Sequence, residues 1–380
     1  MDFNFTEEQS MLRDTVASYL ADHYTFDKRR AAIGNEPGWR PEVWKAFAQE
    51  LGILGASFPV DLGGLGGGPI ENMIIMEEFG KALVVEPYLP TVVIGGGFLK
   101  HSSHVSASEL IDGIIAGKNI FAFAYAEPRG RYNLASLATT AKKNGAGWIL
   151  SGHKAVVVAA PFATHLIVTA RTAGGERDMR GVSVFLVDAT AAGIRRTDFV
   201  TVDGFRASDI YFENVKLGAE ALIGVADEGL SLIEKVVDEA IAATCGEACG
   251  ALRTLLSSTT EYTKQRKQFG ASISSFQALQ HRMVDMFIQV EQSVSMTYMV
   301  NLKIGDDAER AKAASAAKVQ VGKACKFVGQ GAIQLHGGMG MTDEMAVSHY
   351  FKRASMIESA FGSTDHHLGR LESLSRNRVH

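Results

Sequence analysis

The sequence predicts an α+β protein in helical–β–helical order, on three observations. Apolar residues recur at helical spacing through roughly the first 118 positions. From about Asn119 the period changes to short alternating segments separated by turn residues. From Asp227 the helical period returns and persists. The expected division is therefore an N-terminal helical domain over 1–118, a middle β domain over 119–226 and a C-terminal helical bundle over 227–380. A chain of 380 residues, 46% hydrophobic and 21% charged, has the apolar content such cores need.

Taken in order, Thr6 followed by Glu7 and Glu8 reads as a helix start, with Met11, Leu12, Val16 and Leu20 as its apolar stripe. A second helix is expected around residues 42–51. The glycine-dense stretch PVDLGGLGGGP, residues 59–69, fits neither a dinucleotide fingerprint nor a P-loop, so it reads as a loop between helices. Residues 70–79 and 92–99 read as helical, the latter interrupted by Gly95, Gly96 and Gly97. Strands are expected over 120–125, 148–150, 155–159, 165–170, 182–187 and 210–212, and short strands of this kind pack as a small barrel or sandwich. Leu230, Ile233, Val237, Ile241, Cys245, Ala248 and Leu252 then mark one helical stripe, with further helices over 275–304, 308–335 and 343–374. Four long helices with short connections imply a bundle. Thr342 is placed to cap the last of them, with Asp343 and Glu344 in its first turn.

Several function classes are disfavoured. A net charge of −4 gives no electrostatic reason for a nucleic-acid partner. No apolar run reaches ~18 residues, so no membrane span is expected. MDFNFTEEQS is acidic and lacks a basic-then-apolar leader pattern, which makes a cytoplasmic location the default. Cys245, Cys249 and Cys325 have no further ligands at metal-site spacing and read as small residues in helix packing.

Two C-terminal stretches carry the functional signal. Residues 265–285 read QRKQFGASISSFQALQHRMVD, and residues 334–353 read QLHGGMGMTDEMAVSHYFKR. Together they resemble the acyl-CoA dehydrogenase family, whose pattern is Arg-x-x-Phe-Gly, a downstream Phe-Gln, then Gln-x-x-Gly-Gly-x-Gly. The stretch FTEEQ…LGILGASFPVDLGGLGG is similar to the N-terminal domain of the same family. The resemblance implies that the bundle connections bind the ADP half of FAD belonging to a neighbouring subunit. By matching motif the cofactor-binding residues are Arg266, Phe269, Gln277, Gln334, Gly337 and Gly338. The chemistry suits each residue. Arg266 offers a forked cation to phosphate oxygens, Phe269 an apolar face, and the two glutamines both donors and acceptors. Gly337 and Gly338 allow close backbone approach. Without the motif, Arg266 between Lys264 and Lys267 would read as a solvated basic helix end.

The departures are as informative. The family glutamate that removes the α-proton of the acyl thioester falls at Phe361, and a phenyl ring accepts no proton. Some members carry it on the first bundle helix, at a position that is Ala240 here. Glu239 is the neighbour, but one residue rotates a side chain by ~100° on a helix, so Glu239 and Asp238 read as a solvated or inter-helix polar face. The arginine that usually follows is Ile241. The flavin loop Leu-Thr-Glu-Pro-Gly-x-Gly-Ser-Asp becomes YAEPRGRYN, residues 125–133. Ala126 has lost a hydroxyl, and Arg129 and Arg131 replace glycines. In Lys-x-Trp-x-Thr, Lys154 remains while Val156 and Val158 replace the tryptophan and threonine. His366 and His367, adjacent on a helix, point apart and read as helix-end polar residues.

The catalytic residue is therefore unknown at this stage. The leading reading is a subunit of an FAD-dependent acyl-CoA dehydrogenase that desaturates an acyl-CoA, completed by a paralogous partner. Residues 131–134 and 361–371 resemble small subunits of pimeloyl-CoA dehydrogenases, and two-gene members also act on steroid side-chain thioesters. The resemblance implies a homo- or heterotetramer and an electron-transfer flavoprotein or similar acceptor. A flavin-dependent monooxygenase or oxidase on the same fold, or a non-catalytic scaffold, are the alternatives.

Overall fold

The computed structural model describes residues 5–376; the first four residues of the MDFNFTEEQS stretch lie outside them. The chain forms two compact units. One runs up to Ala32 and adds Pro69–Val84 and the described residues from Ile241 onward; the other comprises Ile33–Gly68 and Val85–Ala240.

In the first unit, helix α1 (Glu7–His23) starts with a reciprocal cap. The Thr6 hydroxyl accepts from Gln9 N, and the Gln9 side chain accepts from Thr6 N. Val16 and Leu20 are buried as expected, whereas Met11 is exposed. Helix α2 (Phe26–Gly34), not anticipated, follows directly and buries Arg29.

In the second unit, α3 (Pro41–Gln49) packs Trp44 and Phe47 inward. The glycine-dense stretch is a loop that folds back on itself. Leu65 N, Gly66 N and Gly67 N donate to Gly55, Phe58 and Ala56 carbonyls, so its amides are spent internally. Helix α4 (Pro69–Ala82) belongs to the first unit and packs on α1. A π-helical turn (Leu89–Gly95) then runs into α5 (Gly96–Lys100). Its glycines have a packing cause. A Cβ at Gly95 would lie 2.7 Å from Phe121, and one at Gly96 would lie 2.4 Å from the Phe58 ring. Helix α6 (Ala107–Ile115) completes the helical part.

Eight strands follow: β1 (Phe121–Ala124), β2 (Thr140–Asn144), β3 (Gly147–Val158), β4 (His165–Arg171), β5 (Val182–Asp188), β6 (Ile194–Val200), β7 (Arg206–Leu217) and β8 (Leu222–Ile223). They form one sheet in the order β6-β7-β3-β2-β4-β5-β8, with β1 beside β4. The two segments expected over 148–150 and 155–159 are one strand, β3, kinked by register shifts against β7. Flat, β3 and β5 would stand ~14 Å apart, three strand spacings. Yet the rings of Trp148 on β3 and Phe185 on β5 are centred 5.3 Å apart. The sheet therefore curls on itself around one core, as a barrel does.

Helix α7 (Leu230–Gln265) leads into a hairpin of β9 (Lys267–Gln268) and β10 (Ala271–Ser272). Both turn residues, Phe269 and Gly270, have positive φ, as a two-residue hairpin of this twist requires. Then come α8 (Gln277–Lys303), α9 (Arg310–His336), α10 (Ala346–Ser359) and α11 (Thr364–Arg376), with α9 packed against the other three. The single helix expected over 343–374 is thus two, broken at 360–363. Thr342 does not cap: α10 starts at Ala346, and the Thr342 hydroxyl donates to the Met339 carbonyl instead. Asp343 pairs with Lys352 at 2.7 Å.

Helices α4 and α7 cross with backbones in contact. A Cβ on Gly250 would sit 1.8 Å from the Glu77 carbonyl oxygen, and one on Gly80 would sit 1.9 Å from that of Glu247.

Candidate functional site

At one end of the bundle the close of α7, the start of α8 and the close of α9 leave a cleft of about 670 Å³. Four of the six residues expected to hold a nucleotide line it: Arg266, Gln334, Gly337 and Gly338. Helix α9 stops at His336 because Gly337 takes φ +61°, and a tight turn over Gly337–Met341 follows. A Cβ at Gly337 or Gly338 would meet nothing within 4 Å, so the bare backbone faces open space. The Tyr262 ring stacks on His336 with centroids 4.2 Å apart. Burial lowers the His336 pKa, against the opposing hydrogen bond that its Nδ1–H donates to the Ala332 carbonyl.

Two expected residues stand elsewhere. Phe269 is 94% exposed at the hairpin tip, edge-on to Phe276. Gln277 opens α8 and is exposed; neither lines the cleft. The cleft adds Gln268 and Arg282, which motif matching did not single out. The spacing of Leu279 and Arg282, one helical turn apart, was the available signal.

In the second unit the 125–133 loop is tied down from beneath. The buried Lys154 ammonium lies 2.7 Å from the Glu127 carboxylate and also donates to Thr169 Oγ1 and the Tyr125 carbonyl. Burial brings the Lys154 pKa down to about 8 against the opposing pull of Glu127. Burial alone would raise Glu127, but Lys154 and two backbone amides hold it below its ordinary value. Above this anchor, Val156 is 48% exposed at φ +54°, and Arg131 has φ +48°. Side chains in this left-handed region cost about 1–2 kcal/mol each. Ala126 and Val158 present no hydroxyl to this surface.

Phe361 also occupies a left-handed position, φ +55°, between α10 and α11. The turn is over-determined. The buried Lys318 ammonium donates to the carbonyls of Ile357, Glu358 and Gly362, each at 2.8 Å. His367 Nε2–H donates to the Phe361 carbonyl at 3.1 Å, and its Nδ1 accepts from the Ser315 hydroxyl. His367 is thus a buried strut, not a helix-end polar residue. Burial, with the nearby Lys318 and His366 charges, drives its pKa from 6.5 to about 3.

That shift has a sign. Between about pH 6.5 and pH 3 the unfolded chain binds a proton that the folded chain refuses, so stability falls as pH drops through this window and is fully present above it. His367→Gln should flatten part of the pH dependence of the urea midpoint between pH 7 and pH 5. An unchanged slope would contradict this.

Glu239 is not solvated. Its carboxylate lies 2.6 Å from His101 Nε2 and 3.1 Å from Lys100 Nζ. Burial would raise its pKa, but these partners hold it low, as an ion-pair anchor rather than a base. Ala240 beside it is fully buried. The three cysteines are buried free thiols, which burial makes unreactive, Cys249 and Cys325 rising to about 12. Among the described residues no cluster suits a metal ion, and no helix is long and apolar enough to cross a membrane.

Comparison with known proteins gives consistent matches. Models of the N-terminal, middle and C-terminal domains of acyl-CoA dehydrogenases match residues 6–118, 122–215 and 227–373. The chain is 28% identical to the caffeyl-CoA reductase–Etf complex subunit CarC of Acetobacterium woodii, covering 92% of this chain and 93% of that one. It is 29% identical to acyl-CoA dehydrogenase FadE12 of Mycobacterium tuberculosis, covering 98% and 94%. Among solved structures, the ChsE4–ChsE5 complex from Mycobacterium tuberculosis superposes with a TM-score of 0.88 at 26% identity, covering 100% of this chain and 99% of that one. A Tcur3481–Tcur3483 steroid ACAD superposes with a TM-score of 0.89 at 27% identity, covering 98% and 99%.

Proposed function

Because the chain belongs to the acyl-CoA dehydrogenase family, we propose that it is one subunit of a two-chain, FAD-dependent enzyme that desaturates an acyl-CoA thioester between Cα and Cβ. The observation that carries this reading is an asymmetry between two sites of the chain. The bundle-end cleft keeps Arg266, Gln334, Gly337 and Gly338 together around open space, which supports reading it as a cradle for the ADP end of a flavin. The position of the family base is a phenyl ring held in a rigid turn. The chain thus offers a nucleotide cradle and no proton acceptor at Phe361.

When bound, FAD supplies the hydride acceptor for such a reaction. Arg266 would pair with phosphate oxygens, the backbone at Gly337 and Gly338 would lie against the nucleotide, and Gln334 would bond its polar edges. Proton removal from Cα then falls to a paralogous chain. An exposed apolar stripe on α8, Val284, Phe287 and Ile288, supports association with another chain, since such a stripe at helical spacing is costly in water. The similarity to proteins named as parts of two-chain and Etf complexes supports a heteromer and an electron-transfer flavoprotein as acceptor. Two relatives named as reductases, caffeyl-CoA reductase and 3-(aryl)acrylate reductase, favour a second reading in which the same chemistry runs backwards. By microscopic reversibility, that direction needs a proton donor where this one needs a base, so Phe361 leaves the same demand on a partner.

The test is flavin content per protomer with native mass, for the protein alone and co-expressed with its nearest encoded paralogue. The expected result is little or no flavin alone and a half-occupied heterotetramer with the partner. Full occupancy and turnover by the chain alone would overturn the two-chain reading.

A further inference from the structure

Arginines in this fold are mostly committed. Arg171 is enclosed by carbonyl oxygens, Arg253 pairs with Glu77, and Arg353 grips Glu247 with both arms of its fork. Arg266 and Arg282 differ. Neither guanidinium makes a hydrogen bond or ion pair among the described residues, both are exposed, and both line the same cleft. No aspartate or glutamate lines it with them. Burial holds the pKa of the neighbouring His336 below its ordinary value, which disfavours a third positive charge.

The two cations reach the cleft from separate elements. Arg266 follows the last residue of α7, and Arg282 projects from the second turn of α8, one turn after Leu279, which also lines the cleft. Like charges gathered in one concavity without a counter-ion repel each other, and that repulsion is relieved when an anion binds. One guanidinium fork satisfies one phosphate in bidentate fashion. Two forks therefore suit two phosphate groups, with the side-chain-free Gly337–Gly338 backbone beside them.

We infer that Arg282 is a second phosphate anchor of this cleft, acting with Arg266, and that the site selects a nucleoside 5′-diphosphate moiety over a nucleoside or a singly phosphorylated ligand. This rests on reading the cleft as a nucleotide cradle, which the motif residues alone suggest; Arg282 lies outside those motifs.

The experiment is calorimetric titration of the full chain, in its purified assembly, with ADP, adenosine and adenosine 3′,5′-bisphosphate. ADP should bind most tightly. Arg282→Ala should weaken ADP at least about tenfold, the worth of one charge-assisted pair, while leaving adenosine unchanged. Arg282→Lys should restore only part of the loss, because a point charge cannot replace the planar fork. If Arg266→Ala abolishes ADP binding and Arg282→Ala leaves it within about twofold, the role of Arg282 fails while the cradle reading stands. An equal loss for ADP and adenosine in Arg282→Ala would mean that it only shapes the cleft. Tighter binding of the 3′,5′-bisphosphate would overturn the diphosphate assignment. If the wild type binds none of the three, both readings fall.

Discussion

Gly250→Ala should destabilise the protein by about 3 kcal/mol or more, the upper range for overpacking, because the added methyl has nowhere to go. Its carbon would lie 1.8 Å from the Glu77 carbonyl oxygen and 3.0 Å from Lys81 N, both backbone atoms of the opposing helix. A crowded side chain escapes by changing rotamer; a helix backbone cannot. The reverse contact, Gly80 against the Glu247 carbonyl, means that α4 and α7 must move apart together. Separation would also strain the Arg253–Glu77 pair, which bridges the same two helices at 2.7 Å. Gly369→Ala is the control: it lies in α11 with nothing within 4 Å of its added carbon. That change should stabilise by about 0.5–1 kcal/mol through helix propensity. Thermal midpoints of the two variants measured side by side check both signs. A neutral Gly250→Ala would show that the crossing is looser than described.

Lys318→Met should be the second large effect. The three donors of the ammonium meet three carbonyls at 2.8 Å, with no donor left over. Burial lowers the pKa of this lysine, so its charge is held against desolvation by those oxygens and by the negative end of α10. Methionine fills a similar volume and leaves the carbonyls of Ile357, Glu358 and Gly362 without that donor. At about 1–3 kcal/mol for each buried group left unpaired, the loss should reach several kcal/mol. It should concentrate where the bonds are. Hydrogen exchange of amides near 360–364 should accelerate more than that of α8. Uniform acceleration across the bundle would show that Lys318 supports the whole helix array rather than this turn.

The helical–β–helical order was legible because it is written in periodicity, which is a local property. The Thr6 cap was legible for the same reason, since its partners are three residues apart. Strand β6 was missed because an edge strand exposed on both faces, IRRTDFV, has no alternation to read. Helix α11 was merged with α10 because the one local breaker, Gly362 at φ +124°, is a weak stop signal inside a continuing helical period, while the Lys318 contacts that fix the break lie some 40 residues upstream. In the cleft, glycine and glutamine motifs pointed to the backbone turn and to Arg266. Arg282 stayed hidden because its place beside Arg266 exists only once α7 and α8 are packed. The exposure of Phe269 was hidden for a related reason: motif matching carries over identity and order, whereas exposure is set by the hairpin at whose tip the ring stands.

The backbone of the turn at Phe361 is held by hydrogen bonds from residues outside it. Its carbonyl is held by His367, the next carbonyl by Lys318, and its left-handed backbone is enforced from both sides. Position 361 is in this sense a socket whose backbone is fixed by Lys318 and His367. Shape and reactivity at this point are stored in different residues, so each can be inherited, lost or engineered separately. A site built this way can fall silent by one replacement, and a replacement in the opposite direction would find its mounting already in place.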